Sequence, residues 1–261
     1  TWGRIRDDHL VRLYDSGFAE GNAPYMALEF VTGGSLGERI RREGQLRLSL
    51  AMDIAKQTLQ ALQVAHRANV LHRDITPDAI VIQERPDGQV HCRLTGFGLA
   101  KHLGDEEDDP TAITMTGQVV GNPAYMAPET IMLGVLDPRT DLYALGVTLY
   151  EAVAAQRPFP GRSLADMLAA HVQGHADPIA RHRSDIPVQF SRFIETLLAR
   201  EPSDRFQSAG EALAGLDEDE REHGGRRHQA TSTSPGKGSN QALFYGVVLG
   251  LIIVALGLLS L

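Results

Sequence analysis

Val70-Leu71-His72-Arg73-Asp74-Ile75-Thr76-Pro77-Asp78-Ala79 is the stretch on which the fold turns. An apolar pair runs into a charged triplet and then into Ile-Thr-Pro, where proline bars a continuing helix. Upstream, Leu50, Ile54, Thr58, Ala61, Leu62 and Ala65 recur at helical spacing, so an amphipathic helix is expected from about 48 to 69. Downstream, 80–83 and 90–94 flank Arg85-Pro86-Asp87-Gly88, a turn sequence, and read as a hairpin. Further out, 11–15 and 25–31 read as short strands broken by Gly17 and Gly21-Asn22. Beyond Pro128 helices are expected over 139–154, 163–173, 189–199 and 208–216. Two strands, a long helix, a hairpin and then helices make an α+β order. No internal repeat points to a solenoid.

The 261 residues are 43% hydrophobic and 22% charged, which suits one globular domain with appendages. A net charge of −8 argues against a nucleic-acid binder, which would carry a basic face. Cys92 is the only cysteine, so no disulfide framework exists and a reducing compartment is expected. After Leu216 the composition changes. Residues 217–222 are nearly all charged, and the stretch up to 242 is rich in Gly, Ser and Thr, as in a flexible polar linker. From 243 to 261 the chain reads LFYGVVLGLIIVALGLLSL, without a charge. A helix of that length spans about 28 Å, close to the ~30 Å hydrocarbon core of a bilayer. It reads as one membrane-spanning helix rather than a buried core helix, with Tyr245 near one interface. Arg226, Arg227 and Lys237 precede it, which places the globular part on the cytoplasmic side of the cell membrane.

Other segments join the opening stretch in a fixed order. Leu28-Glu29-Phe30-Val31 with Gly33-Gly34-Ser35-Leu36 precedes it. Leu94-Thr95-Gly96-Phe97-Gly98-Leu99-Ala100-Lys101, Gly121-Asn122-Pro123-Ala124-Tyr125-Met126-Ala127-Pro128-Glu129, Asp141-Leu142-Tyr143-Ala144-Leu145-Gly146-Val147 and Glu201-Pro202-Ser203-Asp204-Arg205-Phe206 follow it. Alone, a His-Arg-Asp triplet is a weak signal. In this order the set resembles the Hanks-type (eukaryotic-like) protein kinases, and most of all bacterial serine/threonine kinases, over residues 1–216.

The resemblance implies a protein-kinase-like fold: a partial small-lobe sheet and hinge over 1–31, a mostly helical large lobe over 32–216, the linker 217–242 and the membrane helix 243–261. It implies roles too. Asp74 matches the base that accepts the substrate hydroxyl proton, and Arg73 the residue that pairs with an activation-loop phosphate. His72 belongs to the same structural motif. Asp141 would accept backbone N–H groups of the loop, and Glu129 with Arg205 would form a buried ion pair. The carbonyl of Glu29 and the N–H of Val31 would face the adenine of ATP. Thr111, Thr114 and Thr116 lie where relatives carry regulatory phosphothreonines, and read equally as ordinary polar loop residues.

The departures from that pattern bear on chemistry. Gly96 stands where the family places an Asp that holds Mg²⁺, and Ala79 where it places an Asn that holds a second Mg²⁺. Neither side chain offers the oxygen that Mg²⁺ requires. Thr76 stands in place of a Lys that stabilises the transferred phosphoryl group. No Gly-rich phosphate loop or paired Lys precedes the matched segments. Residues 105–109 (DEEDD) read as a solvated acidic run, and His66, His91 and His102 show no metal-ligand spacing. The sequence therefore points to a membrane-anchored pseudokinase that signals by binding protein partners. An active serine/threonine kinase and a non-functional fragment of a longer kinase are the alternatives.

Overall fold

The computed structural model describes residues 5–19, 24–97, 101–102 and 121–217. The chain divides into two units, Thr1–Glu220 and Arg221–Leu261, and the second lies outside the described residues. At the centre of the first unit runs a helix that is apolar on almost every side. In Pro138–Ala154 (here α4) Leu142, Tyr143, Leu145, Val147, Leu149, Tyr150, Ala152 and Val153 are all buried, and Thr140, Asp141 and Thr148 are the buried polar exceptions. A helix that is hydrophobic all round has to sit in a core. It starts where Asp137 caps Arg139 N–H and Pro138 takes the first turn, and it stops at Ala155 in a left-handed conformation.

The rest of the lobe packs around α4. The long helix Leu48–Arg67 (α2) lays Leu50, Ile54, Leu59, Leu62 and Ala65 against it, and also covers the hairpin of β5 (Ile80–Glu84) and β6 (Val90–Leu94). Helix Val188–Leu197 (α6) approaches α4 closely at Gly146, where a Cβ would stand 2.8 Å from Leu197 Cβ. Helices Leu36–Glu43 (α1), Pro128–Leu133 (α3), Leu164–Gln173 (α5) and the helical stretch 209–217 complete the lobe. Capping boxes open α1 at Ser35 and α5 at Ser163.

Among the described residues three small sheets accompany the helices. Strands β1 (Leu13–Phe18) and β2 (Pro24–Leu28) form an antiparallel pair with an irregularity between Leu13 and Asp15. Strand β3 (Gly34–Ser35) joins β5 and β6 in the order β3-β5-β6, and β4 (Val70–Leu71) pairs with β7 (Lys101–His102). Val11 N–H donates to Leu94 O and Leu94 N–H to His9 O, so the segment before β1 is tied to the edge of the hairpin.

The expected elements differ from the observed ones at their ends. The strand expected at 11–15 runs Leu13–Phe18, because Val11 bonds to Leu94 instead. The strand expected at 25–31 stops at Leu28, and α1 and α3 were not expected as helices. The fold expectation is corrected on one larger point. No described helix is long and apolar enough to cross a membrane, so the membrane-spanning element does not belong to the described architecture. The longest, α2, has the length, but Asp53, Lys56 and Arg67 lie on its non-buried side, as suits a half-exposed globular helix. The 243–261 stretch on which that expectation rested lies outside the described residues.

Candidate active-site cleft

Asp74 lies on the loop between β4 and the 3-10 turn Pro77–Ala79, and the loop is held from behind by α4. Asp141, 1% exposed, takes His72 N–H on Oδ2 and Arg73 N–H on Oδ1, each at 2.9 Å. His66, from the last turn of α2, places Nε2 2.8 Å from Asp141 Oδ2. Burial pushes the Asp141 carboxyl up, but the His66 contact, the nearby imidazoles and the backbone donors outweigh it and hold it below the usual range. Arg73 adopts φ +70, a left-handed turn for a residue with a side chain, and the two clamped N–H groups fix that bend.

His72 is fully buried and bridges two loops. Nε2 lies 2.7 Å from Thr95 O, and Nδ1 accepts Asp74 N–H at 3.3 Å. Burial lowers the pKa of His72, and the neutral ring with its proton on Nε2 satisfies both contacts. Phe97 meets the ring edge-on at 4.4 Å between centroids. Asp74 Oδ1 accepts Asn122 N–H at 3.1 Å, so the base-like carboxylate is oriented by the segment that precedes α3. Gly121 makes that approach possible: its φ is +92, and a Cβ would lie 3.1 Å from Arg73 O.

That segment is anchored in turn. Asn122 Oδ1 caps Ala124 N–H, Tyr125 Oη donates to Glu151 at 2.6 Å, and Ala124 O is 3.1 Å from His171 Nε2. His171 Nδ1 receives Tyr143 Oη at 2.8 Å, and burial drives the His171 pKa down to about 4. Below it, Arg205 grips Glu129 with two bonds of 2.7 Å and also donates to the carbonyls of Arg139, Ala199 and Arg200. Its guanidinium carbon sits 4.8 Å from the Tyr143 ring centroid.

The cleft in front of the loop is lined by Met26, Leu28, Asp74, Thr76, Asp78, Ala79, Thr95, Gly96 and Phe97. Thr95 N–H donates to Ala79 O at 2.9 Å, which draws the two segments together. A Cβ at Gly96 would stand 3.9 Å from Ala79 Cβ, with His72 at 3.6 Å. Asp78 is engaged elsewhere: Oδ1 accepts Ser35 Oγ at 2.8 Å and faces Arg41 at 3.4 Å.

Residues 2–214 of the sequence match a family model described as the protein kinase domain. This chain belongs to the protein kinase family. It is 36% identical over 222 residues to serine/threonine-protein kinase PknA of Mycobacterium tuberculosis, a match covering 84% of this chain and 47% of that protein. It is 35% identical over 208 residues to serine/threonine-protein kinase pkn3 of Myxococcus xanthus, covering 79% of this chain and 38% of that one. The chain thus spans less than half the length of these relatives. Among solved structures it resembles the kinase domain of Rad53, crystallised with SCD2 and AMPPNP, at a TM-score of 0.64 and 26% identity, over 81% of this chain and 74% of that one.

Within this kinase fold Asp74, Thr76, Ala79 and Gly96 share one cleft, Arg73 lines a second hollow that also includes Asp74, and Asp141 clamps the loop through His72 N–H. The Glu29 carboxylate, as distinct from the Glu29 carbonyl and Val31 N–H expected to face an adenine, binds Arg93 at 2.5 Å and lines a separate hollow with Arg12. Thr111, Thr114 and Thr116 lie outside the described residues. The Mg²⁺ that kinases use does not fit the residues present. Ala79 and Gly96 face each other without an oxygen, Asp78 is committed to Ser35 and Arg41, and no acidic or histidine cluster that could hold a metal occurs among the described residues. Sequence reading took His66 only as a histidine without metal-ligand spacing and Asn122 only as part of a motif, and it passed over His171. His66 stands four residues before Val70, but the contact of His171 with Ala124 O joins positions too distant for spacing to suggest it.

Proposed function

We propose that this chain is a protein-kinase-like domain with impaired phosphoryl transfer that acts in signalling by binding protein partners. The observation that carries this reading is the facing pair Ala79 and Gly96, whose side chains offer no oxygen to a metal ion. Phosphoryl transfer depends on positioning and on neutralising charge, and loss of one such stabilising group commonly costs about 10²–10³ in rate. Here two metal ligands are absent and Thr76 supplies no cation. Asp74 is then a base without an organised phosphate donor.

A radiolabel transfer assay on the full chain, with a basic protein substrate and Mg²⁺, tests the proposal. No transfer is expected. The combined substitutions Gly96→Asp, Ala79→Asn and Thr76→Lys return two oxygen ligands and a cation, and transfer that then appears should vanish on adding Asp74→Asn. Transfer by the unmodified chain that depends on Asp74 would favour the second reading, an active serine/threonine kinase. That reading draws on the intact clamp of Asp141 behind Asp74.

A further inference from the structure

A further hollow, of about 400 Å³, lies where the end of α2, the start of α4 and the start of the helical stretch 209–217 come together. It shares no lining residue with the cleft in front of Asp74. Gln63, His66 and Arg67 line it from α2, and Ser208, Ala209 and Gly210 from the other helix. No hydrogen bond or ion pair involves the Gln63 or Arg67 side chain. The first turn of 209–217 leaves the N–H groups of Ala209 and Gly210 without an acceptor inside the helix. Ser208 Oγ accepts Glu211 N–H at 3.1 Å and Glu211 Oε2 accepts Gln207 N–H at 2.6 Å, so the acid of that turn closes a capping box. Gly210 admits Gln63, since a Cβ there would collide with Gln63 Nε2. His66 is the residue that asks for a ligand. Its side chain is 9% exposed, its Nε2 lies 2.8 Å from the ionised Asp141, and its Nδ1 has no hydrogen-bond partner. Nε2 therefore carries a proton, and Nδ1 of the neutral ring is a buried acceptor that lacks a donor.

We infer that this hollow binds a phosphate group, whose oxygens take Arg67, Gln63 and the first-turn N–H groups and whose hydroxyl meets His66 Nδ1. The inference stands whether or not the chain transfers phosphate itself. An anion suits a guanidinium beside the start of a helix. A carboxylate or a sulfate would satisfy those donors, but neither brings a hydrogen to Nδ1 at neutral pH. A phosphate monoester titrates near about pH 6, so its monoanion offers acceptor oxygens and a P–OH donor together. Gln63 and Arg67 are long and unpaired, and their movement opens the way to Nδ1. The hollow is wider than the ion alone, which leaves room for the body that bears it. Through His66 the site reaches the catalytic loop, because the same Asp141 carboxylate takes His72 N–H and Arg73 N–H.

Isothermal titration of the full chain at fixed ionic strength, with inorganic phosphate, sulfate and a phosphoserine peptide, tests the inference. Phosphate should bind about fivefold more tightly than sulfate, because only phosphate supplies a hydrogen to Nδ1. Arg67→Gln should weaken phosphate about tenfold through the lost charge-assisted bond. Gly210→Ala should weaken it about fivefold by pushing the Gln63 amide aside. Circular dichroism checks that the fold persists in both variants. His66 is left unchanged because it also braces Asp141. Tighter binding of phosphoserine than of phosphate assigns the group to a phosphorylated protein, and binding no tighter assigns it to the free ion; either supports the site. Phosphate held equally well by Arg67→Gln lies elsewhere and overturns the inference. Sulfate bound as tightly as phosphate overturns it too, as does binding of none of the three.

Discussion

Behind the catalytic loop and in front of it, the same few residues meet opposite surroundings. On the rear side Asp141 receives His72 N–H, Arg73 N–H and His66 Nε2 within 2.9 Å, and Arg205 holds Glu129 by two bonds. On the front side Ala79 and Gly96 stand across from each other with no polar side-chain atom, and Thr76 supplies a hydroxyl where a cation is expected. The frame around Asp74 is fully bonded, while Ala79, Gly96 and Thr76 bring no charge to the front, and the proposed impairment of transfer rests on that contrast. Architecture and chemistry separate because they answer to different physical demands. A buried carboxylate that loses its donors destabilises the whole lobe. A metal ligand facing solvent can be lost with little effect on folding.

The largest effect should come from breaking the rear side. Asp141→Ala leaves two backbone N–H groups and His66 Nε2 without their acceptor, at a cost of about 4 kcal/mol. Urea denaturation followed by circular dichroism should show the midpoint shift. A loss below about 1 kcal/mol would mean that the clamp is not what holds the loop. Glu129→Gln should follow at about 3 kcal/mol, since the Arg205 guanidinium stays buried with its charge uncompensated. The same denaturation experiment reads it.

Acid should act on the rear side as well. His72, His91 and His171 all bind a proton more weakly in the fold than an ordinary imidazole, whose pKa is about 6.5, first because burial disfavours the charged ring. As pH falls, the unfolded chain takes up protons before the folded one. Stability is therefore full above about pH 6.5 and declines below it, down to about 4 for His171. For His171 alone the slope approaches about 1.4 kcal/mol per pH unit. Thermal melts across this window check it, and His171→Phe should flatten part of the decline.

The smallest effect is expected in front. Gly96→Asp adds a Cβ that meets only ordinary contacts at 3.6 Å, so its cost is that of a left-handed backbone at φ +92, about 1 kcal/mol. Ala79→Asn should cost a similar amount or less. If the pair together costs more than Asp141→Ala, the contrast between the two sides fails.

Much of the frame was legible in the chain itself. The period of α2, the turn between β5 and β6 and the ordered motifs from Leu28 to Phe206 required only local pattern, and they point to the kinase fold and to Asp74, Ala79 and Gly96. Local spacing carries such information because helices, hairpins and short motifs form from near neighbours. It could not place the ends of β1 and β2, where Val11 bonds to Leu94 rather than to its own hairpin. Nor could it support a membrane-spanning helix within the described architecture, where α2 is long enough but carries charge.

What the sequence by itself determined is therefore the family, the order of the elements and the presence of Ala79 and Gly96 where the resemblance places metal ligands. What only the tertiary structure decided is how those residues meet. His66 and Asp141 are 75 residues apart, Asn122 and Asp74 are 48 apart, and His171 and Ala124 are 47 apart. Hydrogen bonds across such separations depend on which helices pack together, and packing is settled by the whole buried core rather than by any one stretch of chain.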